Sequence, residues 1–75
     1  MVPYRLRPAH GAAMASARRA AGMTQADMVA AGVATNTGRV SHIETGHRVP
    51  TREEWARYWR TVGAEAPAYL EVVDG

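Results

Sequence analysis

Arg39 and His42 stand three residues apart in the run Thr37-Gly38-Arg39-Val40-Ser41-His42-Ile43-Glu44, so on a helix they share a face. An arginine fork matches the O6 and N7 acceptors of guanine, and an imidazole can donate to a guanine or a phosphate. On that chemistry the pair would read base edges; the ordinary alternative is a solvated polar face. Other chemistries fit less well. Ser41 directly precedes His42, and adjacent helical residues point about 100° apart, so they do not form a nucleophile–base pair. His10, His42 and His47 make no close ligand cluster, and with no cysteine and no His-Glu-x-x-His pattern a metal site is not expected. Glu44 has no second carboxylate or nucleophile at a telling spacing. Neither catalysis, nor a cofactor, nor a small-molecule substrate is expected.

These residues need helices to position them. Thr24 and Asn36 can each cap a helix by accepting from first-turn backbone N–H groups, and the turn-like run Gly32-Val33-Ala34-Thr35 lies between the two. Two short helices are therefore predicted, over 25–31 and 37–45, joined by a turn. Such a unit can put its second helix into the DNA major groove. Met28, Val29 and Val33, then Val40 and Ile43, supply the apolar positions, and Gly46 ends the second helix. An alanine-rich segment over 9–21 predicts a helix before them, with Met14, Ala17 and Ala21 on one face and Gly22 as its stop. After Pro50, Thr51-Arg52-Glu53-Glu54 is a capping box opening a helix whose apolar stripe is Trp55, Tyr58, Trp59 and Val62, ended by Gly63. Pro67 can sit in the first turn of a short last helix over 66–72. Pro3 and Pro8 predict an extended arm over 1–8, whose Arg5 and Arg7 could enter a minor groove or fray as an ordinary terminus. The domain proper then covers 9–75. The expected fold class is all-α, a compact domain of four to five helices.

With 75 residues and no cysteine, the fold must rest on one small apolar core, with no disulfide or thiolate metal site. No run approaches the roughly 18 apolar residues of a membrane span, and the N-terminus lacks the apolar h-region of a secretory signal. A soluble cytoplasmic protein without a membrane partner is the expectation. All nine basic residues are arginine. Six of them stand against two acids in residues 1–50, and three against five in residues 51–75. A basic front and an acidic back suit a protein that offers one face to a polyanion.

Taken together, Arg18, the run Gly22-Met23-Thr24-Gln25, the pattern Val40-x-x-Ile43-Glu44-x-Gly46, and Pro50 before the next helix resemble the Cro/cI-type helix–turn–helix of phage repressors and bacterial XRE-like regulators. The resemblance covers about residues 12–63. The turn at 32–35 looks one residue longer than that family usually shows. The resemblance implies that Gln25 bonds a DNA backbone phosphate, and that Asn36, Thr37, Gly38, Arg39 and His42 lie on or beside the groove face. It implies base contacts for Thr37, Gly38, Arg39 and His42, and backbone contacts for Gln25, Asn36, Ser41, His47 and Arg48. It further implies an ion pair between Arg18 and Glu44 that ties the first helix to the third.

The function expected is sequence-specific binding of a double-stranded DNA operator, as a Cro-like repressor in a bacterial or phage-infected cell. A homodimer is expected, because one recognition helix reads only a few base pairs and half-sites lie about 34 Å apart. Tyr58 and Trp59 could be core or dimer interface, with base stacking a lesser alternative. Tyr69, Leu70, Val72 and Val73 could join a C-terminal dimer contact or pack on helix four. Two other readings are an antitoxin that binds a toxin protein and its own operator, and a protein–protein adaptor built on the same fold.

Overall fold

Among residues 8–67 and 69, which the computed structural model describes, the chain forms four helices and no strand. Helix α1 spans Pro8–Ala20, α2 Gln25–Ala30, α3 Thr37–Glu44 and α4 Arg52–Val62. Three of them begin at an oxygen-bearing cap. Thr24 accepts from the Asp27 amide at 3.1 Å and Asp27 reaches back to the Thr24 amide at 2.8 Å. Thr51 and Glu54 repeat the arrangement at α4, at 3.0 and 2.8 Å. Asn36 caps α3 by accepting from the Arg39 amide at 2.8 Å. Each bond satisfies a first-turn donor that the helix itself leaves open.

Pro8 is the first residue of α1 and not the last of the arm. At that position its missing N–H costs nothing and its fixed φ suits a helix. The arm itself, including Arg5 and Arg7, lies outside the described residues. The buried face of α1 is also rotated from the Met14, Ala17 and Ala21 face expected. Gly11, Met14, Ala15 and Arg18 are buried, Ala17 is half-buried and Ala21 is exposed. Arg18 turns inward to meet Glu44, and Gly11 lets α1 lie against the end of α3. A Cβ at Gly11 would fall 2.4 Å from the Glu44 carbonyl oxygen and 2.6 Å from that of Ile43.

Helix α3 packs against both α1 and α2, and α4 packs against α1. Their shared core is Met14, Met28, Val33, Val40 and Ile43, closed by Trp55, Tyr58 and Trp59 of α4. Tyr58 and Trp59 are 1 % and 5 % exposed, so their apolar surface is spent inside one chain and is not left to a dimer interface. The Trp59 ring stands edge-on to Trp55 at 5.6 Å, and its Nε1 is enclosed with no acceptor among the described residues.

The expected last helix is not formed over its described residues, Ala66, Pro67 and Tyr69. Tertiary hydrogen bonds take this segment instead. The Trp55 Nε1 donates to the Pro67 carbonyl at 2.9 Å, and the Tyr69 hydroxyl donates to the Pro50 carbonyl at 2.7 Å. The half-buried Tyr69 ring lies 5.9 Å from that of Trp55, and the Arg52 guanidinium stands over the Tyr69 ring, 5.1 Å from its centroid. Pro67 also disfavours a helical backbone at Ala66. Leu70, Val72 and Val73 lie outside the described residues.

Candidate nucleic-acid interface

At 100° per residue, Val40, Ile43 and Glu44 of α3 define one side of the helix, and all three are buried. The opposite side is centred on Gly38, His42 and Thr45, which are exposed, with Thr37 exposed and Ser41 half-buried on one flank. Arg39 occupies the other flank and is half-buried. The outer face is therefore small and polar, and carries no Arg or acidic side chain at its centre.

The loop after α3 is folded back onto the helix. Gly46 adopts a left-handed φ of 84°, which only glycine takes without strain. Its amide then donates to the Ile43 carbonyl at 3.2 Å, while those of His47 and Arg48 donate to the His42 carbonyl at 2.8 and 3.1 Å. The Thr45 hydroxyl donates to the Ser41 carbonyl at 2.9 Å and lies 2.8 Å from His47 Nδ1. A hydroxyl has one proton, so with that proton on Ser41 the ring nitrogen is the donor in the Thr45–His47 contact. The His42 and His47 rings are 6.0 Å apart, and Arg48 is exposed beside them. Thr37, Gly38, Ser41, His42, His47 and Arg48 are thus held on α3 and the loop that follows it.

Three residues expected at this face are engaged elsewhere. Gln25 is half-buried, and its Nε2 donates to Glu44 Oε1 at 3.1 Å, tying α2 to α3. The Asn36 Oδ1 is taken by the cap of α3, accepting from the Arg39 amide, and its Nδ2 donates to the Thr35 hydroxyl at 3.4 Å. Arg39 forks onto Glu54 of α4, Nε to Oε2 at 3.0 Å and Nη2 to Oε1 at 2.6 Å. This pairing has no local signature. The Thr51–Glu54 capping box shows that Glu54 turns back toward the start of α4, but not which residue its carboxylate meets.

Behind the face, Glu44 is the junction of all four helices. Its side chain is 5 % exposed and accepts four hydrogen bonds. Arg18 donates from Nε at 2.8 Å and from Nη2 at 3.1 Å, Gln25 at 3.1 Å, and the Tyr58 hydroxyl at 2.6 Å. Arg18 Nη1 continues to the Met23 carbonyl at 2.9 Å, fixing the link between α1 and α2. Burial pushes the Glu44 carboxyl up, but the bonds from Arg18, Tyr58 and Gln25 and the Arg18 charge outweigh it, holding the group below the ordinary glutamate range. The same contact raises the Arg18 guanidinium, against its own burial. Burial, then the bond to Glu44, drives the Tyr58 phenol well above the ordinary tyrosine range. Glu54 behaves as Glu44 does: burial raises it, and the bonds from Arg39 and the Thr51 amide more than offset that.

A cleft of about 380 Å³ separates the turn at 32–35 from the start of α4, with Arg39, Glu54 and Arg57 on its walls. Arg57 crosses it, donating to the Gly32 carbonyl at 3.1 Å and to Glu53 at 3.1 Å. Among the described residues, no three histidine or acidic side chains are grouped as metal ligands, and no helix is long and apolar enough to cross a membrane. Comparison with protein families, with curated proteins and with solved structures gives no match.

Proposed function

We propose that this chain is a sequence-specific double-stranded DNA-binding regulator of the Cro/cI type, a binding module that lays α3 in the major groove and represses by occupying an operator. The observation that carries the reading is the division of α3 into two sides. Val40, Ile43 and Glu44 anchor it, while Thr37, Gly38 and His42 face outward with Arg48 in the loop beyond. An eight-residue helix is about 12 Å long, comparable with the width of the major groove. Hydroxyl and imidazole groups on its outer side can bond base edges, and Gly38 lets the backbone approach them closely. Arg48 and His47, both exposed in the loop after α3, would meet phosphates.

The network behind α3 supports the same reading. A helix that reads bases must be held rigidly, and Glu44 secures α3 to α1, α2 and α4 through Arg18, Gln25 and Tyr58. Because one such helix covers only a few base pairs, the operator is proposed to be a palindrome bound by two copies, with half-site centres about 34 Å apart.

Selection of bound duplexes from a random DNA pool, followed by titration of the winner against salt, tests this. A palindromic winner bound far more tightly than bulk DNA is the expected result. Weak, steeply salt-dependent binding with no enriched sequence would leave only backbone attraction and would overturn the sequence-specific reading.

A further inference from the structure

We propose that Glu54 is a latch that holds the Arg39 guanidinium off the DNA, so that the face of α3 grips phosphates weakly and discriminates more by base edges. The proposal rests on the DNA-binding reading above and names the residue pair that would set its specificity. Arg39 begins at the edge of the outer face, and its backbone amide is fixed by the Asn36 cap at 2.8 Å. From there its side chain turns away from the face to Glu54, with both ends of the fork engaged at 3.0 and 2.6 Å. A two-point contact of this kind sets direction as well as attraction.

Glu54 is itself anchored independently of Arg39. Its Oε1 accepts from the Thr51 amide at 2.8 Å, and it lies in the first turn of α4, where the helix dipole favours a negative charge. The carboxylate therefore stays in place as a fixed counter-charge, and the mobile member of the pair is the arginine. With the latch shut, Arg48 remains as an exposed cation beside the outer face of α3. With it open, a second guanidinium becomes available to any phosphate, whatever the sequence, which raises binding to bulk DNA and lowers the operator's advantage over it.

The test compares wild type, Glu54→Gln, Arg39→Ala and Glu53→Gln on a random-sequence duplex over a range of salt concentrations, with melting curves of each. Glu53→Gln is the charge-matched control, since Glu53 neighbours Glu54 and pairs with Arg57, whereas the fork of Arg39 is on Glu54. Expected is that Glu54→Gln binds the random duplex several-fold more tightly, with a salt slope steeper by about one, while Arg39→Ala and Glu53→Gln keep the wild-type slope. A slope reduced by about one in Arg39→Ala would place Arg39 on a phosphate already and overturn the latch. So would an equal gain in Glu53→Gln, or no gain in a Glu54→Gln protein that melts like wild type. If Glu54→Gln fails to fold, a slope reduced by about one in Arg39→Ala still overturns the latch. Any of these results obtained with tight operator binding by wild type would remove the latch and leave the DNA reading intact. Absence of binding to any duplex by wild type and Glu54→Gln alike would remove both.

Discussion

The Tyr58 hydroxyl lies between two acceptors, 2.6 Å from the Glu44 carboxylate and 2.9 Å from the Met14 carbonyl. Its single proton belongs to the carboxylate, the nearer and charged partner, while the Met14 contact sets the hydroxyl at the seam of α1, α3 and α4. Through this bond α4, which has no outward role in the proposed function, holds the helix that has one.

Tyr58→Phe removes that donor and little volume. A hydrogen bond to a charged group is worth about 1.5–3 kcal/mol, so urea denaturation is expected to show a loss of that order. Arg18→Met, which leaves Glu44 buried without its cation, is expected to cost more, about 3–5 kcal/mol. Equal losses in the two variants would mean that the ion pair adds nothing beyond one hydrogen bond.

Acid should weaken the fold through Glu44 and Glu54. Both are held below the ordinary glutamate value of about 4.3, so each contributes stability above that pH and loses it as pH falls through its lower folded value. The melting temperature is expected to hold down to about pH 5 and then drop steeply. The drop should be shallower in Glu54→Gln, which has lost one of the two titrating groups. A profile flat to about pH 3 would contradict the ionised, hydrogen-bonded state of both carboxylates.

Gly11→Ala reverses the usual helix rule. Alanine inside a helix is favoured over glycine by about 1 kcal/mol. Here the added Cβ would meet backbone oxygens of Glu44 and Ile43 at 2.4 and 2.6 Å, and neither can swing aside as a flexible side chain would. Overpacking of this kind costs about 1–3 kcal/mol, and a net loss of stability is expected in a thermal melt. A gain would show that α1 can move away from α3 freely.

Two exposed residues separate base reading from phosphate binding under the proposed function. Arg48→Ala is expected to weaken binding to all duplexes alike and to reduce the salt slope by about one. His42→Ala is expected to relax preference at one half-site position, at about 1–3 kcal/mol of discrimination, with little change in slope. A base-specific loss at Arg48, or an unchanged preference profile at His42, would shift the register assigned to α3.

Much of this molecule can be understood three or four residues at a time. Thr24, Asn36 and Thr51 start their helices by bonding amides three positions on, and the Trp55, Tyr58 and Trp59 stripe follows from helical spacing alone. Because those interactions close within one turn, their spacing in the chain is enough to identify them. The all-α class and the four helices among the described residues are of this kind, whereas the outward placement of Thr37, Gly38 and His42 is expected from the family resemblance. Arg39, Gln25, Gly11 and the segment after Gly63 are not of this kind. Arg39 meets a carboxylate 15 positions away, Gln25 one 19 away, and Tyr58 reaches back 14 to Glu44. Pro67, a good helix starter by local rule, instead yields its carbonyl to Trp55. Such choices depend on which helix faces are brought together. Local propensities differ by about 1 kcal/mol or less for most residues, so one buried hydrogen bond or a charged fork can override them once packing has set the faces.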